Sequence, residues 1–131
     1  MQKNPDVGIG KRILLADDDK FIMAVMSEFL QLAGYAVTEA ADGAAAWELL
    51  AGGTEFDLLI TDRRMPNMDG LQLAMMVRGD ARLFRLPVII LTGAAAQGDI
   101  AEGVSAGQFC YLAKPVEEEE LLAAVHSALR G

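Results

Sequence analysis

Five polar residues that could carry out chemistry stand at the end of short apolar runs or directly after them. Three are carboxylates, one is a hydroxyl and one is an ammonium. They are Asp17, Asp18, Asp62, Thr92 and Lys114. The carboxyl ends of parallel strands share one edge of a sheet, so the five groups would meet in one pocket if these runs are such strands.

Three carboxylates at close range repel each other, and a cation is needed to hold them together. Ligands that are all oxygen favour a hard cation, and few protein carboxylates with room for water favour Mg²⁺ over Ca²⁺. A cation and an amine around a carboxylate would neutralise a phosphoryl group transferred to it, while the hydroxyl donates a hydrogen bond. Each residue alone also fits a helix cap, a turn or a solvated lysine. Their joint placement at strand ends predicts a site for phosphoryl transfer to an aspartate.

The apolar pattern supplies the strands and helices that this pocket needs. Continuous apolar runs indicate buried strands, and apolar residues at helical spacing indicate the helices between them. The predicted strands are 12–16, 35–39, 57–61, 87–91 and 109–113. The predicted helices are 21–33, 43–50, 70–78, a weak one within 94–106, and 117–129. Asp19 and Asp69 are predicted to cap the first and third of these helices. This alternation predicts an α/β domain with a doubly wound, five-stranded parallel sheet and helices on both faces.

Length and composition bound the class of protein. The chain has 131 residues and a formal net charge of −8, with 53% hydrophobic and 23% charged residues. We expect one folded domain, 11–131, after a flexible N-terminal arm, 1–10. The acidic balance argues against direct binding of nucleic acid. A single cysteine and the lack of a signal peptide or membrane-spanning run predict a soluble cytoplasmic protein with no membrane contact. We expect that cysteine, Cys110, to be a buried apolar residue and not a reactive thiol.

Four segments carry a resemblance to a known family. They are Ile13-Leu14-Leu15-Ala16-Asp17-Asp18-Asp19, the stretch from Asp57 through Asp62-Arg63-Arg64-Met65-Pro66 to Asp69-Gly70, Pro87-Val88-Ile89-Ile90-Leu91-Thr92-Gly93, and Tyr111-Leu112-Ala113-Lys114-Pro115. In residue types and spacing the chain resembles the receiver domain of bacterial two-component response regulators, of the chemotaxis-regulator type. The resemblance covers about residues 11–130. It implies a flavodoxin-like fold with strand order 2-1-3-4-5.

The resemblance assigns a role to each site residue. It implies that Asp62 is the phospho-acceptor and that Thr92 and Lys114 bind the phosphoryl group. Asp17 and Asp18 would hold Mg²⁺. Asp62 and the backbone carbonyl of Arg64 would complete the protein ligands.

The resemblance also implies how the signal enters and leaves the domain. The donor would be a sensor histidine kinase or a histidine phosphotransfer protein, and a downstream effector protein or domain would read the result. Thr92 and Tyr111 would switch a face formed by the fourth predicted helix, the fifth strand and the last helix. The Lys114–Pro115 bond would be cis. Such a domain catalyses only its own phosphorylation and dephosphorylation.

Two other readings of the acidic motif stay open at this point. A haloacid-dehalogenase-like phosphatase would use Asp17 as nucleophile, with Thr92 and Lys114 as partners. That reading needs a further acidic pair at a strand end after the lysine, and it leaves Asp62 unexplained. A flavodoxin-type flavin module would need phosphate donors in the first loop, where three aspartates stand instead.

Overall fold

The computed structural model describes residues 10–93 and 109–130, which contain nine regular elements. The strands are β1 (Arg12–Ala16), β2 (Ala36–Ala40), β3 (Leu58–Asp62), β4 (Val88–Thr92) and β5 (Cys110–Ala113). The helices are α1 (Lys20–Leu32), α2 (Gly43–Ala51), α3 (Gly70–Arg78) and a C-terminal helix (Glu118–Arg130).

The strands form one parallel sheet in the order β2-β1-β3-β4-β5, which confirms the predicted fold class and strand order. β1, β3 and β4 are the interior strands, and all five residues of β3 and of β4 are buried. β2 and β5 lie at the edges and are partly exposed. The winding reverses between β1 and β3. In doubly wound sheets ligands bind beyond the carboxyl ends of the strands at this position.

Alternate side chains of each strand supply two separate hydrophobic layers. Ile13 and Leu15 of β1 pack with α1 and the C-terminal helix on one face of the sheet. Leu14 and Ala16 pack with α2 and α3 on the opposite face. Strands buried on both faces therefore read as continuous apolar runs, which is how the sequence identified them.

Aspartates fix the start of three helices. The side chain of Asp19 accepts hydrogen bonds from the backbone amides of Phe21 and Ile22, as expected of the helix cap that the sequence predicts there. Asp42 caps α2 in the same way, and Asp69 forms a reciprocal capping box with Gln72 at the start of α3. Each of these helices begins directly after the acid that precedes it.

Some expectations fall outside the described residues, and one is wrong. The predicted helix within 94–106 and residues 1–9 of the predicted arm lie outside the described ranges. The apolar pattern also indicated that Cys110 is buried, but the thiol residue is exposed and Phe109 beside it is 4% exposed. β5 is an edge strand, so a run that is apolar throughout does not show which of its residues faces the core.

Candidate functional site

The carboxyl edge of the sheet brings the predicted site residues to one place. Asp17 and Asp18 directly follow β1, and Asp62 and Thr92 are the last residues of β3 and β4. Lys114 follows β5, and its backbone amide donates to the carbonyl oxygen of Thr92 at 2.7 Å. Parallel pairing with similar register is what aligns these ends, so residues far apart in sequence share one edge.

Three carboxylates form a cluster that could hold a metal ion. Oxygen atoms of Asp17, Asp18 and Asp62 all lie within 4.8 Å of one another. Asp17 is fully buried and Asp62 is 7% exposed, whereas Asp18 is exposed. A hard divalent cation fits this donor set, since every side-chain donor is an oxygen and one side remains open to water.

Asp17 is the most constrained member of the cluster. Its Oδ1 atom accepts a hydrogen bond from the backbone amide of Asp19 at 2.9 Å. Its Oδ2 atom is buried and has no hydrogen-bond partner among the described residues. Burial raises the pKa of Asp17, and the neighbouring carboxylates of Asp62 and Asp18 raise it further, against the opposing effects of the Asp19 amide and Lys114. A bound cation would satisfy the Oδ2 atom and relieve this repulsion.

Lys114 contributes the ammonium that faces this cluster. Its Nζ atom lies 3.0 Å from Oδ1 of Asp62, and the two side chains are 26% and 9% exposed. The Lys114–Pro115 peptide bond is cis, as the resemblance implied. The lysine is therefore anchored by its backbone amide on β4 while its side chain reaches the end of β3.

Thr92 and Tyr111 lie on the neighbouring strands β4 and β5. Thr92 is fully buried, and its hydroxyl oxygen has no hydrogen-bond partner within residues 10–93 and 109–130. Tyr111 is partly buried, pairs with Ile90 across the sheet, and packs on the hydrophobic layer that contains Phe109. A buried hydroxyl without a protein acceptor costs free energy, so Thr92 is suited to a ligand oxygen.

Sequence reasoning missed the pair of residues that closes the loop between β3 and α3. Nη1 of Arg63 lies 3.1 Å from Oδ2 of Asp69, and the carbonyl of Arg63 accepts from the amide of Gly70 at 3.0 Å. A Cβ atom on Gly70 would collide with the backbone carbonyl of Asp62, so only glycine fits there. Arg64, the next loop residue, is exposed. The sequence predicts Asp69 as a helix cap, but it does not predict that Arg63 pairs with it.

No helix in the described ranges is both long enough and apolar enough to cross a lipid bilayer.

Comparisons with known proteins agree on one family. Residues 13–126 match the response regulator receiver domain. The chain is 38% identical over 119 residues to the DNA-binding dual master transcriptional regulator RpaA of Synechocystis. That alignment covers 91% of this chain and 49% of RpaA. It is 33% identical over 111 residues to the chemotaxis protein CheY1 of Helicobacter pylori, covering 84% of this chain and 90% of that protein. The chain spans about half the length of several curated relatives.

Solved structures agree in fold. A response regulator receiver domain protein from Clostridium thermocellum superposes with a TM-score of 0.84 at 26% identity, covering 92% of this chain and 94% of that chain. The family match covers most of the chain, and it accounts for the sheet order as well as the acidic cluster with its facing lysine. The chain belongs to the receiver domain family of two-component response regulators.

Proposed function

We propose that this domain accepts a phosphoryl group on Asp62 from a sensor histidine kinase or a histidine phosphotransfer protein. The observation that carries the proposal is the cluster of three carboxylates, whose oxygen atoms lie within 4.8 Å of one another. One of them, Asp62, also pairs with Lys114 at 3.0 Å. A carboxylate placed between a cation site and an ammonium is suited to become an acyl phosphate, because both neutralise the transferred charge. In this proposal residues 11–131 form a cytoplasmic signalling domain that catalyses only its own phosphorylation and dephosphorylation.

The acidic cluster would hold Mg²⁺ through Asp17, Asp18 and Asp62, with the backbone carbonyl of Arg64 as a further ligand. Bound there, the ion would supply positive charge to the oxygens of the phosphoryl group during transfer. The unpartnered Oδ2 atom of Asp17 and the all-oxygen donor set support this assignment.

The protein's own residues have distinct parts in the transfer. A carboxylate oxygen of Asp62 forms the new bond to phosphorus as the phosphorus–nitrogen bond of the donor's phosphohistidine breaks, and the imidazole leaves with the electron pair. The ion pair between Lys114 and Asp62 holds the ammonium beside the acceptor carboxylate. After transfer the ammonium would pair with the oxygens of the phosphoryl group on Asp62. The hydroxyl of Thr92 would donate the hydrogen bond that it lacks within the described residues.

The negative charge added to Asp62 would also transmit the signal. A phosphoryl group adds a charge of about −1.5 to −2. Drawing Thr92 toward it would open space that Tyr111 can enter, shifting an existing equilibrium between two states. We place the output face on residues 94–106, β5 and the C-terminal helix, of which the first segment lies outside the described residues. A downstream effector would bind this face, and we propose no direct contact with nucleic acid or membrane.

Incubation with acetyl phosphate and Mg²⁺ tests the proposal. A receiver should gain the mass of one phosphoryl group. Hydroxylamine should cleave the resulting acyl phosphate, and chelation of Mg²⁺ should prevent its formation. A phosphatase of the haloacid-dehalogenase type would instead turn over small phosphate esters repeatedly and would need Asp17 as nucleophile. Turnover of esters without labelling of Asp62 would contradict the proposed function.

An apolar groove beside the acceptor supports a protein donor. The groove has a volume of about 170 Å³, and Phe21, Val25 and Phe29 of α1 line it together with Lys114 and Pro115. Phe21 is 77% exposed. A phosphohistidine can reach Asp62 only if its own protein covers this edge of the sheet, and an exposed aromatic side chain next to Lys114 is a suitable anchor.

Phe21→Ala should slow phosphotransfer from the phosphorylated donor protein by about tenfold, since an aromatic anchor commonly contributes on the order of 1 kcal/mol or more to binding. Labelling by acetyl phosphate should stay unchanged, because that donor is too small to use the groove. Leu32→Ala is the matched control, because Leu32 is 76% exposed at the opposite end of the same helix. Equal transfer rates for both variants would place the donor elsewhere.

Arg64→Ala should shorten the lifetime of the acyl phosphate. Arg64 is exposed two residues after Asp62 at the mouth of the pocket. A long cationic side chain there can obstruct the in-line approach of water or pair with a phosphoryl oxygen, and its loss should speed hydrolysis several-fold. The measurement is the decay of phosphorylated protein after removal of the phosphodonor. Equal decay rates would show that Arg64 points away from the phosphoryl group.

A further inference from the structure

One pair of residues closes the loop between β3 and α3, residues 63–69, at both of its ends. The guanidinium of Arg63 pairs with Asp69 at 3.1 Å, and these side chains are 14% and 33% exposed. The other carboxylate oxygen of Asp69 accepts from the amide of Gln72 at 2.8 Å and caps α3. Asp69 therefore joins the start of the loop to the helix that ends it.

We propose that Arg63 is a positioning residue for the cation site, acting through its ion pair with Asp69. The inference rests on the proposed function, in which the backbone carbonyl of Arg64 is a metal ligand. A carbonyl ligand has no side-chain torsions that could adjust it, so its position depends entirely on the loop that carries it. Arg63 is the residue that joins this loop to the phospho-acceptor.

Other contacts hold other parts of the loop between β3 and α3. Gly70 lies directly against the carbonyl of Asp62, so the end of the loop cannot move toward β3. At the tip, Asn67 has a φ of 72° and donates to Asp42 at 2.8 Å, but this contact is exposed. The Arg63–Asp69 ion pair is partly shielded from water, so it is screened less than a fully exposed pair and fixes geometry better.

A positioning role and a purely electrostatic role predict different signs. If Arg63 acted only by its positive charge, neutralising it would strengthen Mg²⁺ binding, and neutralising Asp69 would weaken it. If the pair positions the loop, both changes weaken binding, because each breaks the same contact. The sign of the Arg63 effect therefore separates the two roles.

The test is the Mg²⁺ dissociation constant, measured by calorimetry, for Arg63→Met, Asp69→Asn and the double variant. Asparagine keeps the helix cap while removing the charge. Each single change should weaken binding by about tenfold, the low end of what loss of a residue behind the ligands costs. The double variant should be no weaker than the singles, since one contact is lost in every case. Arg63→Lys should recover part of the affinity, because it keeps the charge but not the planar fork.

Arg82→Met is the matched control. Nε of Arg82 lies 3.9 Å from Oδ1 of Asp80, and this pair follows α3, at the end of that helix away from the cation site. This variant should bind Mg²⁺ as the unchanged protein does. Affinity in Arg63→Met that equals or exceeds that of the unchanged protein would overturn the inference. If this variant does not fold, unchanged affinity in both Arg63→Lys and Asp69→Asn would overturn it equally.

The proposed function has a separate point of failure. Unchanged protein that binds no Mg²⁺, or an Asp18→Asn variant that binds it normally, would overturn the metal site and the inference together. Loss of affinity in Asp18→Asn with normal affinity in Arg63→Met would overturn the inference alone.

Discussion

Asp62→Asn should abolish stable phosphorylation by both acetyl phosphate and a phosphohistidine donor. An amide oxygen is a far weaker nucleophile than a carboxylate, and the substitution also removes one of the three acids of the cation site. The expected loss is complete within the sensitivity of intact-mass measurement. Residual labelling at the level of the unchanged protein would move the acceptor to another residue.

Asp57→Asn is the matched control for this result. Asp57 precedes the same strand, β3, and accepts a hydrogen bond from the backbone amide of Arg12 at 2.8 Å. Asparagine keeps that acceptor, so the variant should fold and become phosphorylated as the unchanged protein does. Parallel loss of labelling in both variants would indicate damage to the sheet and not loss of the acceptor.

The fold was predictable because its strongest signals are local. β1, β3 and β4 are buried on both faces, so each appears in the sequence as a continuous apolar run without alternating polar residues. Asp19 and Asp69 stand directly before the helices they cap. β5 lies at an edge, and an equally apolar run there left the orientation of Cys110 undetermined and led to the wrong expectation of burial.

The site was predictable only where strand ends define it. Asp17, Asp62 and Lys114 come together because parallel register aligns the ends of β1, β3 and β5. The contact between Arg63 and Asp69 follows no such rule. Both residues are polar and lie in one loop, where many pairings of opposite charge are possible. The path of the backbone between them decides which pairing forms.

Asp17→Asn should stabilise the domain in the absence of divalent cations, although it removes a residue of the proposed site. Asp17 is fully buried, and Asp62 and Asp18 lie close to it. Asparagine keeps the acceptor for the Asp19 amide and removes the charge. We expect a gain of roughly 1 kcal/mol, since neutral replacements of buried ionic groups are often stabilising. For a domain of this size that corresponds to a rise of about 4 °C in the midpoint of thermal unfolding.

The gain should depend on pH in a definite direction. The pKa of Asp17 is raised above its usual value of 3.8 in the folded domain, chiefly by burial. The folded state therefore holds the proton more tightly than the unfolded state, and stability from this group is lost as pH rises through the folded pKa. The variant and the unchanged protein should differ least below pH 3.8 and most at neutral pH. Equal stability of the two at neutral pH would show that repulsion around Asp17 is already relieved.

Added Mg²⁺ should reverse this order of stability. The unchanged protein gains stability as the ion binds its folded state, by an amount that grows with the logarithm of concentration above the dissociation constant. Asp17→Asn lacks one of the proposed ligands and should gain less, so the two unfolding midpoints should converge and then cross as Mg²⁺ is raised. Glu48→Gln is the control, because Glu48 is an exposed acid on α2 away from the cluster. Parallel Mg²⁺ dependence in Asp17→Asn and the unchanged protein would exclude Asp17 from the cation site.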